Sequence, residues 1–457
     1  MSAQAEGPQL VRGLGLLQAT ALNVANMVGV GPFITIPYFL SAMGGPQALV
    51  AFPAAALLVL CDGLIWSELG AALPASGGSY HFLREIFGRY RWGRLLPFLF
   101  IWQFLVSGSL ELASGYIGGA EYLGYALPHL ADAWDGWALK LLAATAAVAV
   151  TIALCRSVRG AGWLSVMLCA GTLTALLAVI VVGVPRFDAA ALAPTPGAFD
   201  VSWVWLVGFG GAMRVAIYDY FGYYNICHLG DEVREPGRTI PQAVIASVLI
   251  VTVLYLAMNS TVISVVGWER ASKSPHVVSE FMEVSLGRGA ALGFTGLVVW
   301  TALAGVFAMT LGYSRIPFAA ARKGDFFRVF ARLHARDRYP VVSLLAIGGL
   351  TAAFCFLPLA AVIEATVTVR IFVQFIGQIA ALHVLRTTRP DVTLPFRMWL
   401  YPLPSLVALA GWTFVLATSG AGYLWGGLGI IASGCVVYAI WQWRWPRPPL
   451  GSAIADS

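Results

Sequence analysis

Apolar runs approaching 20 residues recur from one end of the chain to the other, among them Leu141 to Leu154, Leu164 to Val184 and Val244 to Val266. A helix of about 20 residues crosses the roughly 30 Å hydrocarbon layer of a membrane. Inside lipid every backbone N–H and C=O must find its partner within the protein, which leaves only helix bundles and closed barrels. These runs are continuous, and the alternating segments of about ten residues that mark an outer-membrane barrel are absent from the sequence. Composition agrees, since 59% of the 457 residues are hydrophobic and 11% are charged, against about a quarter charged in a soluble domain. The expected class is an all-α membrane protein.

Hydropathy places spans at 14–41, 46–70, 95–127, 137–155, 160–184, 202–229, 241–266, 289–313, 341–358, 362–385, 400–418 and 422–443, twelve in all. With the N-terminus inside, 21 of the 28 Lys and Arg residues fall on cytoplasmic segments, so both termini are expected in the cytoplasm of a multi-pass protein of the plasma or inner membrane. This distribution accounts for the net charge of +6 without nucleic acid as a partner. The longest loops, 185–201, 267–288 and 314–340, are too short to bury cores of their own. A short surface helix is expected around Pro275 to Glu283, and a disordered tail after Trp445. The first residues lack the pattern of a cleaved signal peptide, so the first span is expected to do the targeting. The six cysteines show neither metal-type nor CxxC spacing, and no metal, cofactor or disulfide is expected.

Two spans are interrupted. The first contains Val28-Gly29-Val30-Gly31-Pro32-Phe33 near its middle, where Gly and Pro together remove helix propensity. The sixth contains Tyr218-Asp219-Tyr220-Phe221-Gly222-Tyr223-Tyr224-Asn225. A helix-packing surface or a proline kink is the plainer account of the first break. Interrupted helices at matching positions of two five-helix halves point instead to an inverted-repeat transporter with a midplane substrate site. The chain then divides into a cytoplasmic start (1–13), a first repeat (14–184, helices 1–5), a second repeat (202–385, helices 6–10), two further helices (400–443) and a tail (444–457). Freed N–H groups at one half-helix start would favour a carboxylate, and freed C=O groups at the other half-helix end an ammonium.

Several segments add a resemblance to a known family. They are Gly29-x-Gly31-x-Phe33, Ser67-Glu68-Leu69-Gly70 with Pro74-x-Ser76-Gly77-Gly78-x-Tyr80, and Glu232-Val233-x-x-Pro236-x-Arg238-Thr239-Ile240-Pro241. Further on come Ser314-Arg315-Ile316-Pro317-Phe318-Ala319, then Arg389-Pro390-Asp391 with Pro395-Phe396-Arg397. Together they resemble the amino acid-polyamine-organocation (APC) superfamily of transporters over helices 1 to 11. The resemblance implies the LeuT-type 5+5 inverted repeat with broken helices 1 and 6. Gly31-Pro32-Phe33, the Asp62 to Glu68 spacing, Ser107-Gly108-x-x-Glu111-x-Ala113 and Arg159-Gly160 with Gly162-Trp163 look most like its polyamine/proton symporter branch. That branch tends to carry Trp-Asp where this chain has Tyr223-Tyr224, and Gly171 stands where some proton-coupled relatives carry a lysine.

The candidate substrate-binding residues are Val28, Gly29, Val30, Gly31, Pro32, Glu111, Tyr218, Asp219, Phe221 and Gly222. Glu111, Asp219, Tyr218 and Arg214 are the candidates for coupling and gating. An intramembrane carboxylate such as Glu111 is expensive unless it meets partners or water; it lines the substrate path or pairs with Arg214 or Arg370. Asp219 receives the substrate amine or caps a second half-helix. Tyr218 and Phe221 supply an aromatic lid or a cation–π contact. Asp62, Glu68, Asp231 and Glu232 are expected in cytoplasmic ion-pair or capping networks with nearby arginines, and His228 is expected to pack. No GxSxG, HExxH or Walker A pattern supports an enzyme. The expected function is secondary active transport of amino acids or polyamines by alternating access, with protons and lipid as partners, as a monomer or weak homo-oligomer. A neutral amino acid exchanger and a non-transporting receptor or sensor of the same fold are the alternatives.

Overall fold

The computed structural model describes residues 13–90, 92–156, 161–335 and 339–444, and gives the backbone alone for 156 and 161–169. The expected cytoplasmic ends, apart from Gly13 and Arg444, and the Arg159-Gly160 motif lie outside the described residues, as does the side chain of Cys169. The first broken span comprises α1 (Leu16–Met27), α2 (Gly31–Ile34) and α3 (Ile36–Met43). It is followed by α4 (Ala51–Ala72), α5 (Gly78–Phe87), α6 (Leu95–Ala126), the single turn α7 (Pro128–Ala131), α8 (Trp137–Arg156) and α9 (Ala161–Gly183). The next helices are α10 (Trp203–Asp219), α11 (Pro236–Val266), the short α12 (Trp268–Ala271), α13 (Val277–Leu286) and α14 (Arg288–Arg322). The chain continues through α15 (Val341–Phe354) and α16 (Leu359–Arg370), a π turn at Ile371–Phe375, α17 (Ile376–Thr388), α18 (Leu403–Ala417) and α19 (Ala421–Arg444).

Each of the twelve predicted segments contains helix. Among the described residues, seven stretches are long and apolar enough to cross a bilayer unaided: Pro46–Ala72, Leu95–Ala126, Ala133–Cys155, Pro236–Val266, Arg288–Arg322, Leu359–Thr388 and Ala421–Arg444. The pair Leu16–Ile34 and Ile36–Met43, bent by 64°, makes an eighth. Helix boundaries depart from hydropathy where good helix formers continue an element past its apolar run. Thus α14 runs on to Arg322 through Pro317, because hydropathy finds the lipid rather than the end of the helix. The expected surface helix exists as α13, but Val277, Val278 and Phe281 are fully buried on it, so it is packed into the bundle.

Polarity is distributed as lipid demands. Large apolar side chains such as Leu17, Val204, Val253 and Trp443 are exposed, while Asn23, Asp62, Glu68, Gln103, Arg370 and Gln378 are buried. Such groups persist in a bundle only when they face one another or water. Glu68 on α4 receives Arg386 Nε and Nη2 at 2.6 and 2.7 Å, and its Oε2 also accepts the Met398 N–H at 2.7 Å. This is the arginine network expected for Glu68. Asp62 differs: its partners are the Tyr223 hydroxyl and, at 3.1 Å, the Trp412 indole N–H. Asp231 accepts from the Ser76 hydroxyl at 2.8 Å, and Glu232 contributes its backbone carbonyl to Leu14 N at 3.0 Å. His228 packs as expected, with its ring against Trp66 and Tyr224.

Both expected interruptions are present, but they differ in kind. In the first, residues 28–30 are non-helical between α1 and α2. In the second, α10 ends at Asp219 and the chain turns through Tyr220–Tyr224 into a single 3-10 turn, Asn225–His228. The expected second half-helix is therefore replaced by one tight turn, so it offers no extended helix end for Asp219 to cap. Two bridges fasten the segment that follows, Ser76 to Leu229 and Leu14 to Val233.

The turns interlock at glycine. Gly222 has φ +110°, and a Cβ there would lie 2.9 Å from Asn26 Cβ and 3.1 Å from Met27 N. At Gly29 a Cβ would meet nothing within 4 Å. Gly222→Ala is therefore expected to cost about 1–3 kcal/mol in strain and to lower the apparent melting temperature in detergent. Gly29→Ala should leave it near that of the unmodified protein; equal melting of the two variants would contradict this packing.

Candidate functional site

Breaking a helix inside lipid leaves main-chain groups that other residues must satisfy. Asn23, buried on α1, does this for the turn after α10: its amide donates to Tyr223 O at 2.7 Å and its Oδ1 accepts the Ile226 N–H at 2.9 Å. The Tyr255 hydroxyl on α11 lies 2.7 Å from Met27 O and 3.1 Å from Asp219 O, so its single proton is shared between the ends of α1 and α10. On the other side of the break, the Tyr122 hydroxyl donates to Phe33 O at 2.8 Å.

Asp219 occupies the point where the two breaks meet. It is buried, and its Oδ2 accepts the Thr35 hydroxyl at 2.8 Å. Its Oδ1 has no protein partner and lies 2.7 Å from the place a Cβ on Gly31 would take. Glycine at 31 thus lets a carboxylate rest against the backbone of the first broken helix. Val28 and Pro32 are buried there, while Gly29 and Val30 are half-buried.

A second group adjoins the first. Glu111 on α6 is paired with Arg370 at the end of α16 and accepts the Tyr313 hydroxyl at 2.5 Å. The Arg370 guanidinium lies over the Phe221 ring at 4.7 Å and within 3.5 Å of the Tyr224 hydroxyl. The Tyr218 hydroxyl meets Ser114 at 2.5 Å, and Ser114 donates to Glu111 O at 2.6 Å. Of the two arginines open to Glu111 from sequence, Arg370 is the partner. A fully desolvated pair of this kind stands only with hydrogen bonds to its remaining atoms, which the tyrosines supply.

Most of the candidates from sequence are thereby brought together: the 28–32 stretch, Glu111, Tyr218, Asp219, Phe221 and Gly222. Arg214 stands apart. It donates to Val415 O at 3.2 Å and Thr418 Oγ1 at 3.3 Å and meets Glu364 at 3.4 Å, tying α10 to α16 and the end of α18. Asn23, Thr35, Tyr255, Tyr313 and Arg370 complete the site without having been singled out as its members. Asn23 carried a usable signal, a polar residue in an otherwise apolar stretch; the tyrosines carried none, since an interior tyrosine looks the same in sequence whatever carbonyl it reaches.

A family model described as amino acid permease matches residues 14–441. An uncharacterised transporter of Mycobacterium tuberculosis is 29% identical over 355 residues, covering 76% of this chain and 74% of that protein. The Homo sapiens cystine/glutamate transporter is 27% identical over 415 residues, 88% of this chain and 79% of its own length. The Mus musculus large neutral amino acids transporter small subunit 2 is 28% identical over 464 residues, 95% of this chain and 82% of its own length. A match running through nearly every helix described above decides the matter: this chain belongs to the amino acid permease family, within the APC superfamily, and is a membrane transporter rather than an enzyme.

Proposed function

We propose that the protein carries amino acids across the cytoplasmic membrane by alternating access, with the substrate bound between the gap at Val28–Val30 and the turn at Tyr220–Tyr224. The observation that carries this reading is the meeting of two non-helical segments at one buried carboxylate, Asp219, whose Oδ1 has no protein partner. The substrate ammonium takes that oxygen, and the main-chain N–H groups of Val30 and Gly31, at the start of α2, face the substrate carboxylate. Tyr218 and Phe221 cover the bound molecule. Space beside Gly29 and the names of the human and mouse relatives support an amino acid over a polyamine. All twelve helical segments cross the bilayer in a five-plus-five inverted repeat with two added helices, and both termini lie in the cytoplasm.

Coupling is assigned to Glu111. A proton arriving there removes the negative partner of Arg370 and frees α16 from α6, so one protonation changes a contact between two helices. A second reading, exchange of neutral amino acids, draws support from the same pair: left ionised throughout, it leaves Glu111 no proton to carry.

Purified protein in liposomes separates these readings. Labelled amino acid is expected to accumulate when a pH gradient, acidic outside, is imposed. Exchange into preloaded vesicles without gradient-driven accumulation would replace symport by exchange. A thermal shift with amino acid but no flux in either assay would indicate a receptor, and accumulation of polyamine alone would overturn the substrate class. Asp219→Asn should weaken apparent substrate affinity about tenfold or more, the loss expected when a charged hydrogen bond becomes neutral. Glu111→Gln should abolish gradient-driven accumulation while retaining exchange in preloaded vesicles; equal loss of both would assign Glu111 to substrate binding.

A further inference from the structure

One hydroxyl at the meeting of the two breaks faces two main-chain oxygens with a single proton to give. Tyr255 on α11 is fully buried, and its ring is set between those of Phe52 at 6.3 Å and Tyr220 at 5.9 Å. Tyr220 is itself held, its hydroxyl lying 2.8 Å from Thr252 Oγ1 and 3.4 Å from Phe52 O. Packing of this kind fixes the Tyr255 ring and leaves the hydroxyl torsion as its free movement. The hydroxyl oxygen is 2.7 Å from Met27 O and 3.1 Å from Asp219 O. A turn about one bond therefore redirects the proton from the end of α1 to the end of α10.

The two carbonyls are not equally served. Met27 O also accepts the Gly29 N–H at 2.9 Å. Asp219 O closes α10, where main-chain carbonyls carry partial negative charge, and among the described residues its donor is Tyr255. With the proton on Met27 O, Asp219 keeps two bare oxygens, its carbonyl and the Oδ1 that has no protein partner. A buried acceptor without a donor is unfavourable. Before a solute arrives the proton therefore belongs on Asp219 O, since Met27 O has Gly29 in any case.

We propose that Tyr255 is a positioning residue that registers occupancy: a bound substrate ammonium donates to Asp219 O as well as to Oδ1, and the displaced hydroxyl turns its proton to Met27 O. No bond to hydrogen breaks; the phenol keeps its proton and changes its acceptor. Hydroxyl and ammonium compete for one oxygen, so the hydroxyl weakens binding and eases release. The same turn gives the end of α1 a second donor and ties α1 to α11 when the site is filled. The ligand thus biases an element with two discrete arrangements, which is what links a binding event to a change elsewhere in a bundle. The proposal rests on the reading of Asp219 as the seat of the substrate ammonium.

Tyr255→Phe keeps the ring and removes the competitor. Binding is measured by titration in detergent with leucine, alanine, serine and glutamate, and with the amine-free acid matching the tightest of them; counterflow exchange is followed in liposomes. The amino acid is expected to bind about five- to tenfold more tightly, the worth of one buried hydrogen bond. Saturated counterflow should slow by a similar factor, because release is slower, and the amine-free acid should gain nothing. A hydroxyl that only braces the breaks would act with the opposite sign, so weaker or unchanged binding of the amino acid overturns the proposal. An equal gain for the amine-free acid overturns it too. Asp219→Asn decides separately whether the ammonium sits at that residue; if no amino acid binds the unmodified protein, that reading fails and this one with it. Should Tyr255→Phe not fold, Tyr255→meta-fluorotyrosine retains the hydroxyl. Its fluorine resonance is expected to move on saturation with the amino acid and to stay in place with the amine-free acid. A resonance indifferent to both, or moved equally by both, overturns the proposal.

Discussion

The structure turns on a constraint that water-soluble proteins never face in this form: a main-chain group released inside lipid has no solvent to fall back on. Two adjacent breaks can persist only because each is closed by the other's surroundings. Asn23 supplies both a donor and an acceptor to the turn after α10, and one tyrosine hydroxyl on α11 stands between the carbonyls of Met27 and Asp219. Removing helix from the middle of a bundle therefore creates a demand for side-chain polarity at fixed points. The same polarity is then available to a charged solute.

Charge is handled with the same economy. Each strongly buried ion pair described here joins segments far apart in sequence: Glu68 with Arg386, Glu111 with Arg370, and Arg84 on α5 with Asp325 in the turn after α14, at 2.6 Å. Since an isolated ion is excluded from such surroundings, each pair fixes which segments lie side by side. Arg214 belongs to this pattern, with Glu364 and the end of α18 as its partners. Asp219 is the exception among the carboxylates of the site, held by a single threonine hydroxyl.

Helix positions were legible in the sequence because lipid imposes a length and a polarity on each span, and both can be counted residue by residue. The break at Val28–Val30 was equally legible, since Gly and Pro announce it chemically. The break after Asp219 was legible as a place but not as a shape. Nothing local distinguishes a resumed half-helix from the tight turn that Asn23 stabilises from some 200 residues away. Distance in sequence also hid the choice of Arg370 over Arg214 for Glu111 and the joining of Asp62 to Tyr223 and Trp412. Charge and spacing name the groups that need partners; only the fold names the partners.

The tie between α1 and the segment after α10 has a mechanical outcome. Near one end of α1, Leu14 bonds to Glu232 and Arg234; within it, Asn23 holds Tyr223 and Ile226. Two stretches of chain 200 or more residues apart are pinned at separate points along a common length, and two pins remove the freedom to pivot that a single one would leave. They form one lever, so a displacement of either segment carries the other with it.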